Sequence, residues 1–306
     1  LTEADRIARP DRSTGSFNPN TMPVAIVAGN GSMPGEIRDA MMARGLSPVL
    51  VGVRGEVDGE LAENCDRVLS YGQLGSLFDL LQKQNVRHVI FAGGIVRRPD
   101  FSALKPDLVT LRELPKLLKI TLGGDDSVLG KIAAFLKTRG IEVVGVRDVA
   151  PDLLAGQGLI AGPPMRGRMP KLLSQSLNLA WKGARATGSL DAGQGCIVED
   201  GRVIALEGAE GTDAMIGRLG ELRKLKRLNP NPDWSVLVKV AKPGQDMRAD
   251  LPAIGPDTVR AAHAAGLNYL AVEAGSSVVL RRSELVEIAR RLAIRVAGYS
   301  DESLPR

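Results

Sequence analysis

The chain has 306 residues and a formal net charge of +5, with 44% hydrophobic and 25% charged residues, proportions ordinary for a soluble globular protein of two domains or one large one. Aromatic residues make up only 3%, which argues against single-stranded nucleic-acid binding and its stacking platforms. Two distant cysteines and two histidines, His88 and His263, give no disulfide framework and no zinc spacing, and no apolar run nears the ~20 residues that span a bilayer.

Residues 1–22 lack the apolar core of a signal peptide and read as a flexible tail of a cytoplasmic protein. From Pro23 to about 150, apolar runs alternate with helical spacing. VAIVAG (24–29), PVLVGV (48–53), RVLSYG (67–72), HVIFAGG (88–94) and IEVVGV (141–146) predict strands buried on both faces. Helical stretches at 33–45, 74–85 and 125–140 lie between them. Strands separated by helices imply right-handed crossovers and a mostly parallel, Rossmann-like sheet. Prolines and glycines then mark 151–170 as a linker, and 171–188 predicts a helix joining two halves. Residues 189–301 predict a smaller α/β domain with some antiparallel pairing, and 302–306 a second tail. It opens with a hairpin at Asp200-Gly201. YLAVEAG (269–275) and SVVLRR (277–282) predict paired strands.

Candidate sites follow strands or open helices. AGNGSMPG (28–35) nearly spells the dinucleotide fingerprint, making Gly29, Gly31 and Ser32 candidate phosphate ligands, with a plain tight turn as the alternative. The second strand ends in Val53-Arg54, where a ribose-binding acid would belong. FAGGIVRRPDF (91–101) offers Gly93, Gly94 and Arg97 at a strand's C-terminal end, or a solvated loop. GGDDSVL (123–129) places Asp125 at a helix start, as a cap or a metal ligand. DAGQGC (191–196) offers Gln194 and Gly195, and EGAEGTDAM (207–215) offers Thr212 as a cap with Asp213 in the first helical turn. KPGQDMRADLPAIG (242–255) leaves a core strand with Lys242 and Arg248 suited to an anion and Asp250 suited to act on it or on its metal. A cleft between two domains would collect these stretches.

Taken together and in order, FAGGIVRRPDFSALKPD, GGDDSVL, LDAGQG, EGTDAM and RADLPAIG followed by AGLNYLAVEAG resemble the LpxI family of UDP-2,3-diacylglucosamine pyrophosphatases, from about Met22 to Ser300. The resemblance implies hydrolysis of UDP-2,3-diacylglucosamine to lipid X and UMP in lipid A biosynthesis, with a divalent cation, typically Mg²⁺. It places the family's essential aspartate on Asp250, its Thr-Asp pair on Thr212 and Asp213, and its Gln-Gly pair on Gln194 and Gly195. Asp250, with Asp213 as helper, would hold the metal or deprotonate water, while Arg248 or Lys242 takes developing charge. The acyl chains would need an apolar cavity. Basic runs such as 223–227 read either as a solvated helical face or as a peripheral contact with the anionic inner membrane. Two rival functions stand beside this one: a nucleotide-dependent oxidoreductase using the 29–35 turn, and a non-catalytic binder of acylated sugars.

Overall fold

A computed structural model describes residues 22–95, 106–113, 125–248 and 251–305, with 125–129 as backbone only. The chain divides into two compact units at Pro151/Asp152.

The first unit runs β1 (Val24–Ala28), α1 (Met33–Ala43), β2 (Val49–Val53), α2 (Gly59–Glu63), β3 (Arg67–Leu69), α3 (Leu74–Lys83), β4 (His88–Ala92), α4 (Asp125–Lys137), β5 (Glu142–Val143) and α5 (Val146–Val149). Every pair of neighbouring strands is parallel, in the order β3-β2-β1-β4-β5. The expected Rossmann-like sheet is present. Its central strands are apolar on both faces because helices cover both, and Ile26, Leu50 and Ile90 are fully buried. The chain builds outward from β1 in one direction and then returns to β4 on the other side. The β1/β4 boundary is therefore the switch point where such sheets open a crevice.

The second unit runs β6 (Gly158–Ala161), α6 (Lys171–Ser189), β7 (Gly195–Glu199), β8 (Arg202–Leu206), α7 (Gly211–Lys224), β9 (Ser235–Lys239), β10 (Ala253–Ile254), α8 (Pro256–Ala264), β11 (Tyr269–Glu273), β12 (Val278–Val279), α9 (Arg282–Arg291) and β13 (Arg295–Tyr299). Its main sheet has six strands in the order β6-β13-β11-β9-β7-β8. Strands β9, β11 and β13 are parallel, whereas β6, β7 and β8 pair antiparallel. Period-2 alternation divides the core in two. Cys196, Val198, Val236 and Val238 face α6 with Leu173, Leu177 and Trp181, while Ile197 and Leu237 face α7, α8 and α9. Asp200 (φ 44°) and Gly201 (φ 81°) make the expected two-residue turn between β7 and β8.

Three expectations change. The stretch read as a linker with a joining helix lies within the second unit: β6 pairs with β13, and α6 buries its apolar face on the sheet. Strands β11 and β12 do not pair with each other; β11 lies between β9 and β13, and β12 pairs with β10. Residues 302–305 are tied down rather than a tail, since Ser174 Oγ donates to the Pro305 carbonyl at 3.0 Å and Leu304 packs on the core under α6.

Leu177 is fully buried between α6 and the sheet, and Leu190 just beyond the helix is 79% exposed. Leu177→Ala should cost about 2–5 kcal/mol of stability through lost transfer energy and a residual cavity. Leu190→Ala should stay within about 0.5 kcal/mol. Denaturant unfolding of both variants checks this.

Candidate active site

At the switch point of the first unit, the loops after β1 and β4 bond to each other. Gly29 N–H donates to the Ala92 carbonyl at 2.8 Å, and Asn30 and Gly94 exchange both backbone bonds at 2.8 and 2.9 Å. A side chain at Gly29 would put its Cβ 2.4 Å from the Gly94 carbonyl oxygen. At Gly93, whose φ is +85°, it would stand 2.5 Å from the Asn30 oxygen. This close approach accounts for both glycines without a phosphate. The acid absent from the end of β2 comes five residues later: Asp58 accepts the Gly31 N–H and the Asn30 Nδ2–H, each at 3.1 Å. A phosphate seated on this turn would have to displace a carboxylate. Ser32 is also engaged, donating to Glu36 at 2.8 Å. Thus Gly29 meets Gly93 and Gly94 and Gly31 meets Asp58, while Arg97 and the Asp125 side chain lie outside the described residues.

In the second unit, strand register gathers a different set. Gly195 pairs with Lys239 across β7 and β9. Beside them, Val240 N–H donates to the Gln194 carbonyl at 3.0 Å and Glu207 N–H to the Gly195 carbonyl at 2.9 Å. Helix α7 then rises from Gly211. Thr212, expected as a cap, does something else: its hydroxyl donates to Glu207 Oε1 at 3.0 Å, and Glu210 occupies the cap position. Asp213 lies exposed in the first turn.

Two buried oxygens here, Glu207 Oε2 and Gln194 Oε1, have no hydrogen-bond partner among the described residues. Glu207 is only 6% exposed, and a Cβ on Gly195 would lie 2.4 Å from its Oε2. A buried carboxylate oxygen left without a donor is costly, so its environment calls for a cation or a hydrogen-bond donor. Glu207 was within a motif read from sequence but not singled out. Lys239 was missed altogether, although a lysine inside SVLVKVA is a visible signal. It is 7% exposed, and its Nζ donates to the Ala253 carbonyl at 3.0 Å.

The loop after β9 is strongly paired. Lys242 Nζ lies 2.7 Å from Asp191 Oδ1, and its N–H donates to Gln245 Oε1 at 2.8 Å. Arg248 forks onto Asp246 through Nε at 2.8 Å and Nη2 at 2.6 Å. The guanidinium holds the Asp246 carboxyl below the usual aspartate range. That contribution is present above the ordinary value of 3.8 and is lost as the pH falls through the lowered folded value. The two cations expected to receive an anion therefore already face carboxylates. Asp250 lies outside the described residues. Cys196 offers no nucleophile, since burial pushes its thiol up to about 12. Among the described residues, no three His, Cys, Asp or Glu side chains converge as a metal site.

The family model for the LpxI N-terminal domain matches residues 23–153, and that for the LpxI C-terminal domain matches residues 162–297. The chain belongs to the LpxI family. It is 32% identical over 282 residues to UDP-2,3-diacylglucosamine pyrophosphatase LpxI of Caulobacter vibrioides, an alignment covering 92% of this chain and 99% of that relative. The match takes in both units, so the switch-point loops and the β7/β9 edge both belong to the family's domains.

The two glycines after β4 separate by substitution. Gly94 has open space around a Cβ, whereas Gly93 has neither space nor a tolerant φ. Gly93→Ala should cost more than about 1 kcal/mol, and Gly94→Ala should stay near wild type. Thermal unfolding of the pair decides.

Proposed function

We propose that the chain hydrolyses the pyrophosphate bond of UDP-2,3-diacylglucosamine in lipid A biosynthesis. The observation that carries this reading is the match across both domains to a pyrophosphatase whose whole length the chain spans. Water adds across the phosphoric anhydride, so the two products are UMP and 2,3-diacylglucosamine 1-phosphate, lipid X.

A divalent cation such as Mg²⁺ fits the residues at the β7/β9 edge. Hard cations take oxygen ligands, and Glu207 Oε2 and Gln194 Oε1 are buried oxygens that lack a donor among the described residues. Together with the carboxylates of Asp213 and Asp250, they would hold it. When bound, the ion neutralises pyrophosphate charge. Asp250 orients the attacking water and takes its proton, and Asp213 assists from the first turn of α7. Thr212 holds Glu207 through Oε1 and so keeps Oε2 directed toward Gly195. Lys242 and Arg248 meet the substrate as members of ion pairs, so an anionic substrate competes with Asp191 and Asp246 for them.

The oxidoreductase alternative is weakened by Asp58, which occupies the amide a dinucleotide phosphate would need. The non-catalytic alternative gives no reason to bury a carboxylate at the same edge. No helix among the described residues is long and apolar enough to cross a membrane. We place the enzyme in the cytoplasm, with a peripheral membrane contact for substrate uptake. Exposed Leu225, Lys226 and Arg227 support that contact. Arg223 of the same run does not, because it turns inward to Glu199 and to the Ala265 carbonyl.

UMP release should require both the metal and Asp250. Asp250→Ala and Asp250→Asn should each lower turnover by about 10²-fold or more, as expected for a lost general base. Glu207→Gln should raise the Mg²⁺ concentration needed for half-maximal rate. Undiminished turnover in both Asp250 variants would remove the mechanism, and absence of UMP from metal-loaded wild type would remove the function.

A further inference from the structure

The chain leaving β9 loses its sheet partners at Lys239, where the β7 and β11 ladders end. Val240 still donates to Gln194, but Ala241 has moved beyond the ladder and is 5% exposed. Its backbone groups are satisfied by side chains instead. Glu273, the last residue of β11, accepts the Ala241 N–H through Oε2 at 2.9 Å. Arg185, on α6, donates through Nη1 to the Ala241 carbonyl at 3.1 Å. The two side chains then close the ring on each other, Arg185 Nη2 to Glu273 Oε1 at 2.8 Å. A fork of donors and a pair of acceptors are matched to both polar groups of one residue. Arg185 is itself steadied, lying over the Trp181 ring and bonding Asp301 at 3.2 Å.

The far end of the same loop carries a second tie. Lys239 Nζ reaches back to the Ala253 carbonyl, where β10 begins. Between the two ties run Lys242, Gln245 and Arg248, and in chain order Asp250.

We infer that Arg185, Glu273 and Lys239 are positioning residues that fix the loop between β9 and β10 from both ends. The inference rests on the reading of that loop as the carrier of the reaction's charged groups. Sheet pairing could not do this work, because the loop must leave the ladder to present those groups. An apolar contact would leave the Ala241 N–H and carbonyl buried and unpaired. Glu273→Gln tests the arrangement closely, since an amide NH₂ then replaces one of the two accepting oxygens and faces either the Ala241 N–H or the Arg185 guanidinium donor to donor.

The experiment compares wild type, Glu273→Gln, Arg185→Lys, Lys239→Met and Lys239→Arg. It reads kcat and KM for UMP release, hydrogen exchange of peptides covering 241–254 and 195–199, and Tm. In Glu273→Gln and Lys239→Met, kcat should fall roughly 10- to 100-fold, the scale of a small misplacement of reacting groups. KM should stay within about threefold. Exchange should rise in 241–254 and not in 195–199, and Lys239→Arg should recover part of the lost kcat. Unchanged kcat, or an exchange increase spread evenly over both peptides with a matching drop in Tm, would overturn the assignment. If wild type itself releases no UMP, the functional reading fails, and the exchange comparison still decides whether these side chains hold the loop.

Discussion

The pairing of Gly195 with Lys239 is the constraint on which the second unit's chemistry depends. Because β7 runs antiparallel to β9, the start of one strand lies beside the end of the other. Gln194, Glu207 and the loop after Lys239 are thereby brought to a single edge. A register slip of one residue would send Lys239 to the opposite face and break the Val240–Gln194 bond that starts the loop. The register is held by the burial of Cys196 and Val198 on one side and Ile197 on the other, so core packing and site assembly are the same fact seen from two directions.

Charge in this unit is mostly spoken for. Glu199 is buried with Arg223 and Ser235, Asp191 faces Lys242, and Asp246 faces Arg248. Among the described residues of this unit, four buried side-chain atoms lack a hydrogen-bond partner: Ser277 Oγ, Arg295 Nε, and the oxygens of Glu207 and Gln194. The last two lie together at the start of β7, where a ligand could complete them. In the first unit, the Asp58 contact shows the opposite arrangement, a glycine turn that resembles a phosphate cradle yet supplies its own anion.

Much of the architecture was legible in local pattern. Strands β1 to β4 follow continuous apolar runs between helical stretches, although β3 ends at Leu69 and β5 shrinks to Glu142–Val143 as α5 begins. The Asp200-Gly201 turn announces its own geometry. What local pattern hides is partnership between distant segments. The short run GLIA at 158–161 looks like part of a linker until β13 supplies its ladder, and helix α6 reads as a connector until its apolar stripe is seen against β7 and β9. The site was legible as a set of motifs. Lys239 is visible as a lysine inside an apolar strand, but nothing local joins it to Ala253, and Glu207 is overshadowed by more conspicuous neighbours at Thr212 and Asp213. Asp58 gave no signal, since only the fold brings it to Gly31.

The ring around Ala241 also bears on the order in which the protein acquires its parts. Arg185, Ala241 and Glu273 come from separate stretches of chain, and none can engage before α6, β9 and β11 have docked together. Contacts between distant segments form late, because loop-closure entropy opposes them until much of the structure has condensed. The loop therefore takes its shape near the end of folding, and a chain halted before β11 joins β9 would possess a helix, a hairpin and no working site.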